Sequence, residues 1–170
     1  MEDLISVKYD GKELLIPYRI YDHVSPDLDL NSLPLEKKVK EYCKYTRHSD
    51  GHIREKYIEK LINLEPKVAI PYAIQLASEY VLEIIEVIFK QFNKLDRTAV
   101  NKYVEENQTY ITKSKDRMIS YWDCYYMYKC PRLNEYVGFK LFEQLKVPSP
   151  NKALKQGASH GTRKSIAPLS

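Results

Sequence analysis

Apolar and polar positions alternate with a period of two through the first twenty residues, which is the pattern of β-strands. Asp10-Gly11 stands in the middle of this segment and suits a two-residue type I′ turn, because both turn positions need positive φ. Counting outward from the turn opposes Lys8 and Glu13 on one face. The other face collects the four apolar residues Ile5, Val7, Leu14 and Ile16. We therefore predict a β-hairpin over residues 4–19, packed against helices because an isolated hairpin is marginal in water.

Beyond residue 34 the apolar positions recur every three or four residues, which is typical of helices that bury one face. Prolines, acidic caps and short polar turns divide this region into about six segments. The predicted helices cover residues 35–45, 52–63, 66–92, 97–106, 111–129 and 131–145. Short connections pair them as three antiparallel hairpins, 35–63, 66–106 and 111–145. The fold class is thus mainly α, as a stacked α-solenoid or as an irregular bundle.

The segment 66–92 is the most apolar part of the chain. Its polar residues fall at steps of four and three, and they are Gln75, Glu79, Glu83, Glu86 and Lys90. This spacing predicts a central helix with one narrow strip that faces solvent or a partner. Pro71 lies inside the segment, so it marks either the true start of the helix or a kink.

Residues 49–61 resemble the inter-helix turn and second helix of a HEAT repeat. The likeness rests on Asp50, Ile53, Arg54 and Leu61. Tyr57 stands where that family prefers a small residue. The resemblance covers about one repeat, and it implies helical hairpins stacked side by side with a concave surface for binding another macromolecule.

Charge is distributed unevenly along the chain. The net charge of +4 combines +5 after residue 145 with −1 in the preceding part, so the folded body is close to neutral. The residues 148–170 are rich in Pro, Ser, Gly and Lys, which predicts a disordered basic tail after a single helical domain over 1–147. A nucleic-acid-associated protein that uses this tail is one alternative function.

Several absences in the sequence suggest a cytoplasmic protein. The longest apolar runs fall well short of the roughly 20 residues of a membrane span, so we expect no membrane partner. The N-terminus is acidic and no apolar leader follows it. The three cysteines are odd in number and irregularly spaced, which is unlike a disulfide framework.

Metal and catalytic chemistry have weak support. Cys43, His48 and His52 give the spacing C-x4-H-x3-H, but tetrahedral zinc needs four ligands and usually a close cysteine pair. Cysteines on helix faces are more often packed as small apolar residues. We therefore expect no metal, cofactor or catalytic residue, and keep a small metal-binding protein or enzyme built on these three residues as a further alternative.

Two surfaces are candidates for binding a partner. The first is the acidic part of the strip, formed by Glu79, Glu83 and Glu86, whose simpler interpretation is a solvated face paired with Arg54 or Lys90. The second is the aromatic run over residues 121–128, represented by Tyr121, Trp122, Tyr125 and Tyr128. One helix cannot bury so many rings in one core, so some must face outward. The leading hypothesis is a non-enzymatic protein-interaction module whose partner is another protein, with a homo-oligomer as the alternative.

Overall fold

A computed structural model describes residues 3–23 and 29–145, and the predicted tail at 148–170 lies outside them. The predicted mainly helical fold with an N-terminal β-hairpin is confirmed, with seven α-helices in the described part where the sequence predicted about six. The strands are β1 (Leu4–Tyr9) and β2 (Lys12–Pro17). The helices are α1 (Leu35–Tyr45), α2 (Gly51–Leu64), α3 (Pro66–Leu76), α4 (Leu82–Gln91), α5 (Arg97–Glu106), α6 (Gln108–Tyr121) and α7 (Val137–Gln144).

The hairpin has the predicted register. Val7 pairs with Leu14 and Lys8 with Glu13, around a turn in which Asp10 and Gly11 have φ of 51° and 74°. The strand β2 ends at Pro17, which has no N–H to donate to a ladder. The side chain of Val7 is buried, so the apolar face packs on the helices as predicted.

The side chains of Asn107 and Tyr9 help to fix the hairpin to the helices. Asn107, between α5 and α6, accepts from the Lys8 N–H at 2.8 Å and donates to the Lys8 carbonyl at 2.7 Å. The Tyr9 hydroxyl donates to the Lys67 carbonyl at 2.5 Å. That carbonyl would normally accept from the N–H of residue 71, which Pro71 lacks. Pro71 therefore lies inside α3, not at its start, and Tyr9 replaces the missing helical donor.

The single helix predicted over 66–92 is wrong, because α3 ends at Leu76 and α4 begins at Leu82. The turn between them contains Ser78, whose hydroxyl donates to the Gln75 carbonyl at 3.0 Å and competes with helical bonding. The break also ends the predicted strip. Gln75 and Glu79 are buried at 2% and 7% exposure, whereas Glu83 stays exposed.

The last two predicted helices also divide. The helix α6 continues into a π-helical turn over Trp122–Tyr126, where the Met127 N–H bonds the Trp122 carbonyl at 2.8 Å. A short 3₁₀ turn over Leu133–Glu135 precedes α7. Residues 127–136 therefore belong to no α-helix, and the helix predicted from residue 131 begins only at Val137.

The helices α2 and α4 lie at the centre of the core, because α2 packs against both α3 and α4 and α4 also packs against α7. The inward residues of α4 are Ile84, Ile85 and Ile88, which are 0–1% exposed. The helix α1 packs on α2, α5 packs on α3 and on β1, and α6 packs on α7. Of the described helices, none is long and apolar enough to cross a lipid bilayer. The likeness to a HEAT repeat stays a prediction.

Candidate functional site

Three arginines surround one buried carboxylate, and together they form what we call the arginine cluster: Arg19, Arg47 and Arg54 around Glu79. The Nε and Nη2 atoms of Arg54 both lie 3.0 Å from Oε2 of Glu79. Arg19 Nη1 lies 2.8 Å from Oε1, and Arg47 Nη2 lies 3.6 Å from the same oxygen. Arg47 and Arg54 are each only 1% exposed. The charges of this cluster are therefore largely removed from water.

The cluster joins three distant parts of the chain. Arg54 stands in the first turn of α2, and its Nη1 also donates to the carbonyls of His48 and Ser49 at 2.8 Å each. Arg47, at the end of α1, donates to the carbonyls of Pro17 at 2.9 Å and Tyr18 at 2.6 Å. Glu79 comes from the turn between α3 and α4. The end of the hairpin, the α1–α2 turn and the α3–α4 turn thus meet at one point.

The cluster carries more positive charge than its carboxylate can balance. Three guanidinium groups face one carboxylate, although an unpaired charge is costly to remove from water. Burial lowers the pKa of Arg47 to about 10, with Glu79 opposing this shift and Arg19 adding to it. Since this pKa is still far above neutrality, Arg47 remains a cation at pH 7.

A narrow pocket, the arginine pocket, opens beside the cluster and is lined in addition by Gln75 and Arg117. The volume open to the centre of a water-sized group is about 10 Å³, which is about enough for one such group. Neither Oε1 nor Nε2 of Gln75 has a hydrogen-bond partner within the described residues. Buried amides are nearly always paired, so an unpaired one needs an explanation.

Three tyrosines in mutual contact adjoin the pocket, and we call them the tyrosine patch: Tyr80, Tyr121 and Tyr125. The ring centroid of Tyr121 lies 5.8 Å from that of Tyr80 and 6.1 Å from that of Tyr125. Tyr80 and Tyr125 lie 6.1 Å apart. Tyr80 is 50% exposed and Tyr125 is 53% exposed, so the rings contact each other and still face outward. The patch and the pocket share Tyr80 and Tyr121.

The π-helical turn positions this patch. A π turn widens the helix by one residue and is frequent at functional sites. The hydroxyl of Tyr126 within the turn donates to the Tyr80 carbonyl, which ties the turn to the α3–α4 connection. Trp122 packs partly on the core, and its Nε1 donates to the Cys130 carbonyl at 2.9 Å.

The structure brings together part of the predicted partner surface. Tyr121 and Tyr125 meet in the tyrosine patch, whereas Tyr128 is 73% exposed and stands outside it. The prediction of an exposed acidic strip is wrong for Glu79, because this carboxylate is buried against the three arginines. Glu83 is exposed on α4 and Glu86 is half-buried there.

The sequence offered Arg54 or Lys90 as partners for the acidic strip as a whole, and it missed the burial of Glu79 and the other arginines. One signal was present in the composition. The chain has seven arginines against twenty lysines, and four of the seven (Arg19, Arg47, Arg54 and Arg117) line or adjoin this pocket. Arginine is favoured over lysine at buried ion pairs because its planar group makes several directed bonds at once.

Two of the residues considered for metal binding, His48 and Cys43, take part in the fold. The His48 Nδ1 accepts from the Asp50 N–H at 2.9 Å, so Nε2 carries the proton and donates to the Asp22 carbonyl at 2.7 Å. Cys43 is buried, which raises the pKa of its thiol to about 11, and His52 is exposed on α2. Across residues 3–23 and 29–145, no three His, Cys, Asp or Glu side chains converge as metal ligands would.

Comparison with protein-family models, with curated proteins and with solved structures gives no match to this chain. What the protein does is therefore inferred from the arginine pocket and the tyrosine patch.

Proposed function

We propose that this protein is a non-enzymatic interaction module that binds a segment of another protein on its tyrosine patch. The observation that carries the proposal is that Tyr80, Tyr121 and Tyr125 contact one another while two of them stay about half exposed. Tyrosine supplies a large contact area with little conformational entropy to lose, and it is enriched in binding hot spots. A preassembled group of such rings is suited to cover apolar parts of a partner.

The charge beside the patch favours an acidic segment. Arg19 and Arg117 both line the pocket at the edge of the rings, and the arginine cluster keeps its excess of positive charge there. Complementary charge speeds association and selects among partners. Nucleic acid would need a row of accessible cations along an extended backbone, whereas this charge is concentrated in a narrow recess. The alternative of nucleic-acid binding through residues 148–170 lies outside the described part of the chain.

Peptide selection followed by mutation tests the proposal. Peptides are selected from a phage-displayed random library on the full chain, and their dissociation constants are measured by fluorescence anisotropy. Tyr125→Ala should weaken the selected peptides by about tenfold or more, as for a hot-spot tyrosine, and Tyr125→Phe should keep most of the affinity. Tyr21→Ala is the matched control, because Tyr21 is 80% exposed but does not belong to the patch.

Two results would count against the proposal. One is that Tyr121→Ala and Tyr125→Ala bind every selected peptide as tightly as the parent chain, with unchanged circular dichroism. The other is that Tyr21→Ala loses as much affinity as Tyr125→Ala. Sedimentation equilibrium of the parent and Tyr125→Ala shows separately whether the patch instead joins two copies of this chain.

A further inference from the structure

We infer that the arginine pocket receives the side-chain carboxylate of a glutamate from the segment bound on the tyrosine patch. The source of that glutamate rests on the proposed function. The affinity of the pocket for a carboxylate depends only on the residues that line the pocket. Carboxylate binding and the proposed function can therefore be tested separately.

The first step is the unbalanced charge. Glu79 is the one carboxylate that contacts the arginine cluster within the described residues, and it is shared by three guanidinium groups. Arg117 adds a further cation to the pocket wall. A second carboxylate would offset charge that is already partly desolvated, which makes the pocket selective for anions.

The second step is the supply of free donors. Arg54 and Arg47 use their donors on Glu79 and on backbone carbonyls. Arg117, by contrast, forms no hydrogen bond or ion pair with any described residue of the chain. Gln75 is 2% exposed, lines the pocket and leaves its amide without a partner in this same part of the chain. An entering carboxylate oxygen can accept from the Gln75 amide and from Arg117 together.

The third step is size. With about 10 Å³ available, the pocket admits one oxygen-sized group at its inner end. A glutamate carboxylate is flat and stands on a slender stem, so one oxygen can enter while the other stays at the mouth. A phosphate is tetrahedral and wider, and a chain-terminal carboxylate is flanked at once by its own backbone and side chain. A side-chain carboxylate is therefore the anion that fits, and glutamate, whose stem is one methylene longer than that of aspartate, carries it further from its own backbone.

Nuclear magnetic resonance on the full chain tests the pocket without a partner. Propionate reproduces the end of a glutamate side chain, and it is titrated at constant ionic strength while the Gln75 side-chain amide and the Arg117 Nε–H signals are followed. We expect saturable shifts with a dissociation constant of about a millimolar or weaker, as for a ligand of so few atoms. Arg117→Gln should weaken this binding severalfold, and Lys113→Gln, an exposed cation on the same helix, should leave it unchanged.

The inference is overturned if propionate gives no saturable shift, in which case Gln75 is paired with an ordered water only. It is also overturned if methyl phosphate binds as tightly as propionate, or if Lys113→Gln weakens binding as much as Arg117→Gln. Failure here with continued dependence of selected peptides on Tyr125 would leave the proposed function standing. Propionate binding with no effect of Tyr125→Ala on any peptide would refute only the proposed function.

The selected peptides give a second measurement. In a peptide that binds the patch, Glu→Gln at one position should weaken binding about tenfold, and that loss should disappear in the Arg117→Gln variant. Equal losses in both backgrounds would show that this glutamate binds elsewhere and would contradict the inference.

Discussion

Glu79 holds together the most heavily charged part of the interior. Replacing it with Gln keeps the shape of the side chain but leaves three guanidinium groups without their shared carboxylate. We expect Glu79→Gln to lower the free energy of unfolding by about 3–5 kcal/mol, as when one partner of a buried ion pair is removed. Urea denaturation followed by circular dichroism measures this loss. Glu83→Gln is the control, since Glu83 is exposed on α4, and a similar loss there would show that the cluster is not responsible.

Cys43 and Cys124 should differ in reactivity. Because burial raises the pKa of Cys43 to about 11, its thiol stays protonated in the folded protein at pH 8, while Cys124 is exposed. Iodoacetamide at pH 8 should label Cys124 first and leave Cys43 unlabelled until denaturant is added, as read by mass spectrometry. The ordinary pKa of a cysteine thiol is 9.0, so the stabilising contribution of the neutral Cys43 is complete below that pH and falls as the pH rises toward 11. Rapid labelling of Cys43 in the native protein at pH 8 would contradict this assignment.

At the scale of elements, Asn107 attaches the hairpin to the helices. Asn107→Ala removes both bonds to the Lys8 backbone, and we expect a loss of about 1–2 kcal/mol in the free energy of unfolding. The amide of Lys8 should also exchange with solvent faster, as measured by hydrogen exchange. Gln108→Ala changes an exposed neighbour and should do neither. Unchanged exchange at Lys8 in Asn107→Ala would mean that the hairpin is held mainly by its apolar face.

The sequence predicted elements where local rules decide, and it failed where distant contacts decide. The hairpin register follows from a period of two and from Asp10-Gly11, which are adjacent in the chain. The break after Leu76 does not follow from local rules. Glu79 in the turn after it pairs with Arg19 and Arg54, which stand 60 and 25 positions earlier in the chain. Periodicity placed Glu79 on a polar strip and could not tell a solvated carboxylate from one enclosed by arginines. The sequence predicted that some rings of the run 121–128 face outward, but the contact of Tyr121 and Tyr125 with Tyr80 depends on the fold.

At the scale of the whole molecule, Arg47 links the hairpin to the helical body. It donates to the carbonyls of Pro17, Tyr18 and Thr46, and a lysine cannot reach all three. We expect Arg47→Lys to cost about 2–4 kcal/mol of unfolding free energy. Hydrogen exchange read by mass spectrometry should rise together in peptides covering 17–23 and 44–50. These segments also share the bond from the Ile20 N–H to the Arg47 carbonyl at 2.8 Å. Faster exchange in only one of the segments would show that they open independently.

The bond from the Tyr9 hydroxyl to the Lys67 carbonyl couples positions 9 and 71 in evolution. Pro71 deprives that carbonyl of its helical donor, and the phenol of a different element supplies one. A change of Pro71 to any other residue would restore the helical donor and make the phenol dispensable, whereas loss of the phenol beside Pro71 would leave this exposed carbonyl to water. We therefore expect the two positions to vary together among related sequences, with proline at 71 favoured where a tyrosine is present at 9.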